Sequence, residues 1–156
     1  MIYNKILILE GNGMEIKVNE QAQKFHLATN QGNWQPMIGH AIQIDEFTLC
    51  ACPMFDTVFG NVLNISEVTT GYRVLLPIPV VGDAYEKTST ATGTVAFLRT
   101  EVAEEIKRFI NKVGKQKIIE KIEKSKKYNA EHLPEMPPIE DVDTDWITAD
   151  ISDVTH

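Results

Sequence analysis

The sequence predicts an α+β fold. An antiparallel, hairpin-rich sheet spans residues 2–98, one long or two shorter helices over 101–128 pack on it, and an acidic extended tail follows. Three observations carry this. Short apolar runs before residue 100 are separated by turn signals such as Gly-Asn-Gly at 11–13 and Thr-Thr-Gly at 69–71. Helical apolar spacing begins only after residue 100. From Glu131 onward the chain contains no Lys or Arg. Strands followed by helices favour α+β over a parallel α/β sheet.

Ile2 to Leu9 is an apolar run, and the Asn-Gly after it supplies the positive-φ pair of a tight hairpin turn. Met14 to Val18 then alternates as a strand does. Met14 is also an alternative start, which would make residues 1–13 an upstream extension. Residues 22–29 read as a strand and 30–36 as a loop that carries Trp34. Residues 41–51 read as one strand whose broken alternation implies a bulge near Asp45 and Glu46, with Pro53 ending the run. Residues 61–68 and 72–80 flank Thr69-Thr70-Gly71 as a hairpin, and Pro77 and Pro79 push the second strand to an edge. Residues 82–93 are polar and aperiodic, so they read as a mobile loop, and 94–98 as a last strand.

Thr100 is the expected helix cap, with Glu101, Glu104 and Glu105 in the first turns. Val102, Ile106, Phe109, Ile110 and Val113 share a helical face, which shifts after Gly114 to Ile118, Ile119 and Ile122. Pro134, Pro137 and Pro138 exclude helix beyond about residue 131.

The expected division is one α+β domain over 1–130 and an acidic, proline-containing tail over 131–156. The net charge of −7 hides it: residues 1–130 hold 15 basic against 14 acidic side chains, whereas 131–156 hold 8 acids and no base. Nine of the fifteen basic residues fall within 107–127, opposed by Glu120 and Glu123. The tail mixes its acids with Ile139, Val142, Trp146, Ile147 and Ile151, a composition typical of segments that order on a surface. It is expected to dock on the lysine-rich helix of its own chain or on a basic groove of a partner.

No apolar run approaches the roughly 20 residues of a membrane helix or the roughly 7–15 of a signal-peptide core, so the expected location is cytoplasmic. Cys50 and Cys52 agree with a reducing compartment. One residue between them is too few for an ordinary structural zinc pair, even with His26 or His40 added, and no metal or cofactor is expected. The stretch TSTATGT at 88–94 lacks the second glycine and the lysine of a phosphate loop.

Three functions compete. The leading one is a non-enzymatic binding or inhibitor-type accessory protein. It would engage a protein partner or small anionic ligand through loops 30–36 and 82–93 and its charged C-terminal third, with Trp34, Lys115, Lys117, Lys121, Lys124 and Trp146 as the binding residues. The second is a small hydrolase or transferase using His26 or His40 with Asp45, Glu46 or Asp56. The third is a nucleic-acid binder through 107–127, disfavoured because few aromatics lie among those lysines and the acidic tail would compete with phosphates. The tail and the proline-limited edge offer two routes to a homodimer. The stretch ISEVTTGYRVLLP, residues 65–77, together with the small acidic format, resembles phage and mobile-element accessory proteins, and no family follows from it.

Overall fold

The computed structural model describes residues 14–143. The expected strand 2–9, its Gly-Asn-Gly turn and Trp146 lie outside the described residues. The architecture is an antiparallel sheet followed by helices, as α+β requires. Its strands are β1 Ile16–Val18, β2 Gln23–Ala28, β3 Trp34–Ile44, β4 Phe47–Asp56, β5 Gly60–Glu67, β6 Ile78–Pro79 and β7 Glu140–Asp141. They run β6-β5-β4-β3-β2-β7, with β1 also on β3.

The expected strand over 41–51 is two strands. Ile44 pairs with Phe47, and Asp45-Glu46 form the tight turn between them, with Asp45 at φ 56°. Aspartate tolerates this left-handed conformation better than most residues, so a turn repairs the broken alternation where a bulge was expected. Pro53 does not end β4. It lies beyond Ala51, the last residue paired with β3, so the ladder there needs its donors on one side only. The expected strand 72–80 shrinks to a Ser66–Arg73 bridge and the short edge strand β6, which contains Pro79.

The largest correction concerns residues 82–98, where the loop and last strand are helical. Helix α1 spans Asp83–Lys87 and α2 spans Ala91–Phe97. A π-helical turn at Leu98–Val102 leads into α3, Ala103–Val113. The cap is Thr90, whose hydroxyl accepts from the Gly93 N–H at 3.0 Å, and Thr100 instead donates back to the Ala96 carbonyl at 2.9 Å. Val95, Leu98, Val102, Ile106 and Ile110 form one buried stripe, so the helical face begins before residue 100. Gly114 at φ 95° separates α3 from α4, Lys115–His132, so the helical region is divided.

That stripe packs on Ile42, Ile44, Leu49, Ala51, Leu63 and Ile65 from alternate strand positions. Each fully buried Ile or Leu here contributes about 1.5–3 kcal/mol. The other sheet face holds a smaller cluster of Phe25, Cys50 and Cys52, flanked by Leu27, Met37 and Ile139.

Two strands separate β2 from β5, which in a flat sheet would leave them about 14 Å apart. Yet the Ala28 N–H donates to the Gly71 carbonyl at 3.0 Å. The sheet therefore curls until the turn after β5 meets β2. Gly71 sits at φ 70°, and a Cβ there would lie 2.5 Å from the His26 carbonyl oxygen. Gly71→Ala should thus lower unfolding stability by at least about 2 kcal/mol in urea denaturation, from backbone strain plus the collision. An unchanged midpoint would show that this closure is absent.

Candidate functional site

Glu67 ends β5 and is buried. Its carboxylate accepts from the Thr69 N–H at 2.9 Å, the Thr69 hydroxyl at 2.7 Å and the Thr70 N–H at 2.9 Å. These bonds satisfy a charge that burial would otherwise penalise heavily, and they fix the 69–71 turn. The turn then holds α4, because the Asn129 side-chain amide donates to the Thr70 carbonyl at 3.1 Å. At the other end of α4, the Lys115 ammonium reaches Asp45 at 2.7 Å and Glu46 at 3.0 Å. Hydrogen bonds to those two carboxylates, Asp45 first, raise the Lys115 pKa above its ordinary value.

Anchored at both ends, α4 borders an open groove of about 1260 Å³ against the curled end of the sheet. Lys117, Lys121 and Lys124 project along one side, and Arg73 joins them from the segment after the turn. Glu120 is the one acidic residue in the lining. None of the four cations makes an ion pair among the described residues, whereas Lys107, Lys115 and Lys126 each do. Leu27, Asn64 and Ser66 also line the groove, and the buried Asn64 amide donates to the Ser66 hydroxyl at 2.7 Å.

Aromatic groups share this lining. The Tyr128 and His132 rings stack with centroids 4.1 Å apart and 13° between planes, and Tyr128 is 52% exposed. Tyr72 lines the groove too, and burial, then the neighbouring Tyr128, push its phenol above the ordinary value. It therefore stays protonated at neutral pH and keeps a donor there.

Of the residues expected from sequence, Lys117, Lys121 and Lys124 come together in the groove. Lys115 does not line it, being held by the β3–β4 turn. Trp34 opens β3 rather than lying in a loop, and its indole N–H donates to the Pro134 carbonyl at 2.9 Å. Trp146 lies outside the described residues. The described part of the tail docks on its own chain, but along β2 and not on the lysine-rich helix. There β7 pairs Gln23 with Asp141 and Lys24 with Glu140, and the Val142 N–H donates to the Ala22 carbonyl at 2.9 Å. An edge strand offers this segment main-chain partners, and Ile139 gains an apolar seat beside Phe25 and the cysteines.

His26 and His40 each direct a ring nitrogen to a backbone carbonyl, of Pro138 at 3.2 Å and Asn19 at 3.0 Å. Among the described residues neither meets a carboxylate within ion-pair distance. Cys50 and Cys52 are buried free thiols, and the Cys50 thiol is pushed far up by its contact with Cys52 and by burial. Among the described residues no His, Cys, Asp and Glu group is arranged to hold a metal ion. None of their helices is long and apolar enough to cross a membrane.

Sequence reasoning missed Arg73, Tyr72, Tyr128 and His132. The signal for two of them was present: Lys117, Lys121, Lys124, Tyr128 and His132 recur at helical spacing. Arg73 reaches the groove only because the sheet curls. No protein-family model, no curated protein and no solved structure matches the chain.

Among the described residues, none of the contacts of residues 134–142 is an ion pair. In a Trp146→Phe chain, where Trp34 is the sole tryptophan, indole emission should therefore stay constant as salt rises to molar levels. Ile139→Ala should shift that emission and cost about 1–2 kcal/mol in urea unfolding. A salt-driven red shift with Ile139 intact would show that charge holds the segment.

Proposed function

We propose that this protein is a non-catalytic binding protein that holds an anionic ligand in the groove beside α4. One observation carries the reading: Arg73, Lys117, Lys121 and Lys124 converge on a single concavity with no ion-pair partner among the described residues. Surface lysines that serve solubility are dispersed or paired with nearby acids. These four share one cleft, where fields of one sign add and attract counter-charge. The neutral Tyr72 phenol and the Asn64–Ser66 pair add uncharged hydrogen-bonding groups to the same lining.

A small hydrolase or transferase gains no support from the histidines. His26 is buried against the tail and His40 is bonded to Asn19, and neither lines the groove. The groove offers four cations against the one carboxylate of Glu120, together with neutral donors, a balance suited to holding an anion.

Inorganic tripolyphosphate is a suitable probe because it carries charge without shape information. The full chain should bind it in calorimetry. The Lys117→Glu/Lys121→Glu/Lys124→Glu variant should bind at least about tenfold more weakly, as expected when several charge contacts are reversed. Lys17→Glu/Lys112→Glu, two exposed lysines on β1 and α3 that do not line the groove, should leave affinity within about twofold, because screening by salt weakens the effect of charges that do not touch the ligand. Equal losses in both variants would reduce the effect to net charge and overturn the reading.

A further inference from the structure

We infer that the anionic ligand of this groove is a segment of single-stranded nucleic acid. This deepens the anion-binding reading and rests on it. The argument lies in the order of side chains along α4. Lys117, Lys121 and Lys124 come first, and Tyr128 and His132 follow on the same face. At a rise of about 1.5 Å per residue, the lysines cover about 10 Å of helix axis, and the stacked rings begin about 6 Å further on. The line from Lys117 to His132 is then about 22 Å long, an extent suited to a chain of several units rather than one compact anion.

The two kinds of group suit the two parts of a nucleotide. Lysine ammonium groups and Arg73 match backbone phosphates, and guanidinium adds a planar fork for phosphate oxygens. The Tyr128–His132 stack presents a half-exposed π-face, and every base has a face to lay on it. Both rings are exposed, so burial in the core does not account for their alignment with the lysines. His132 Nδ1 lies 2.9 Å from the Tyr128 carbonyl, which fixes the imidazole orientation and preserves the stack.

Strandedness follows from placement. The lysines line a cleft beside the sheet rather than a ridge that could enter a duplex groove. Unstacked bases of a single strand reach such a cleft, whereas bases within a duplex do not. An acidic peptide would satisfy the cations but would leave the ring platform without a partner.

Fluorescence anisotropy with the full chain tests this, using labelled DNA and RNA oligonucleotides of about twelve nucleotides, a site size within the range of single-strand binders. Single strands should bind at least about tenfold more tightly than the matching duplex or poly-glutamate of equal charge, since only they offer free base faces. The plot of log K against log salt should have a slope of about −3 if four phosphates are neutralised. Tyr128→Ala should weaken single-strand binding about tenfold or more, with Tyr128→Phe restoring it, and this loss should exceed severalfold any loss of tripolyphosphate affinity. Comparison of the DNA and RNA arms identifies the backbone preferred. Each variant is first checked for an unchanged thermal midpoint; were Tyr128→Ala to shift it, Tyr128→Phe against His132→Ala would supply the same comparison. Tripolyphosphate binding without single-strand preference, or with no effect of losing the ring, overturns this inference and leaves the anion groove standing. Failure of tripolyphosphate and oligonucleotides alike removes both.

Discussion

A buried carboxylate organises this molecule. Glu67 sits at the end of β5 where the chain must reverse, and its oxygens take up the donors of Thr69 and Thr70. Stripping a carboxylate of water is costly unless hydrogen bonds replace the solvent, so this turn has one satisfied geometry and no cheap alternative. In that geometry the Thr70 carbonyl faces Asn129 and the Gly71 carbonyl faces Ala28. The first contact sets down the C-terminal half of α4, and the second closes the sheet towards β2. The groove is the space left between those two attachments.

Charge is divided by this arrangement in a way that stability alone does not favour. Lys117 and Lys121 are four residues apart on α4, and Lys121 and Lys124 are three apart, spacings at which like charges repel by a few tenths of a kcal/mol per pair. Elsewhere on the helices the same spacing joins opposite charges, as in Glu104–Lys107, Glu105–Arg108 and Glu123–Lys126. Exposed pairs of that kind contribute at most about 1 kcal/mol. The contrast still matters within α4, since Lys117, Lys121 and Lys124 line the groove without an ion pair among the described residues, whereas Lys126 is joined to Glu123. Lys115 belongs to the paired set, because two carboxylates of the β3–β4 turn engage it.

The sheet-then-helix order and the end of α4 near residue 132 were legible, and Gly114 was marked as the place where one helix would curve or two would meet, because each rests on local rules of apolar period and of Gly and Pro. Two kinds of feature were not. Residues 82–98 carry four Thr and one Ser, which look like loop composition until the Thr90 hydroxyl is seen to cap α2 and Thr94 to bond back to Thr90. Their apolar residues belong to a stripe continuing through Ile106, visible only when the window crosses residue 100. The Asp45-Glu46 reversal was hidden for a related reason, since aspartate replaced the glycine that usually announces a tight turn. In the groove, the lysines followed from composition, but Arg73 and Tyr72 are brought in by curvature of the sheet, a tertiary property that no local window contains.

The sheet edges support placing the proposed binding in the groove rather than along a strand. An unpaired strand edge is itself a binding surface, open to any extended chain. Here β7 pairs with Gln23 and Lys24 of β2, with Ile139 seated beside Phe25, and β6 at the opposite edge is only two residues long and contains Pro79. The β4–β5 tip does expose Phe55, Val58 and Phe59, around an Asp56 whose carboxyl is held below the ordinary range by the Phe59 and Val58 N–H groups. That tip is largely apolar and its one charged residue, Asp56, is an anion, so it offers neither the cations nor the Tyr72, Asn64 and Ser66 hydrogen-bonding groups that suit an anionic ligand. The groove has both, and the same turn that closes the sheet and anchors α4 holds its walls in place. Preorganisation of this kind lowers the ordering cost of binding, which favours the groove over the acidic tail as the proposed binding surface.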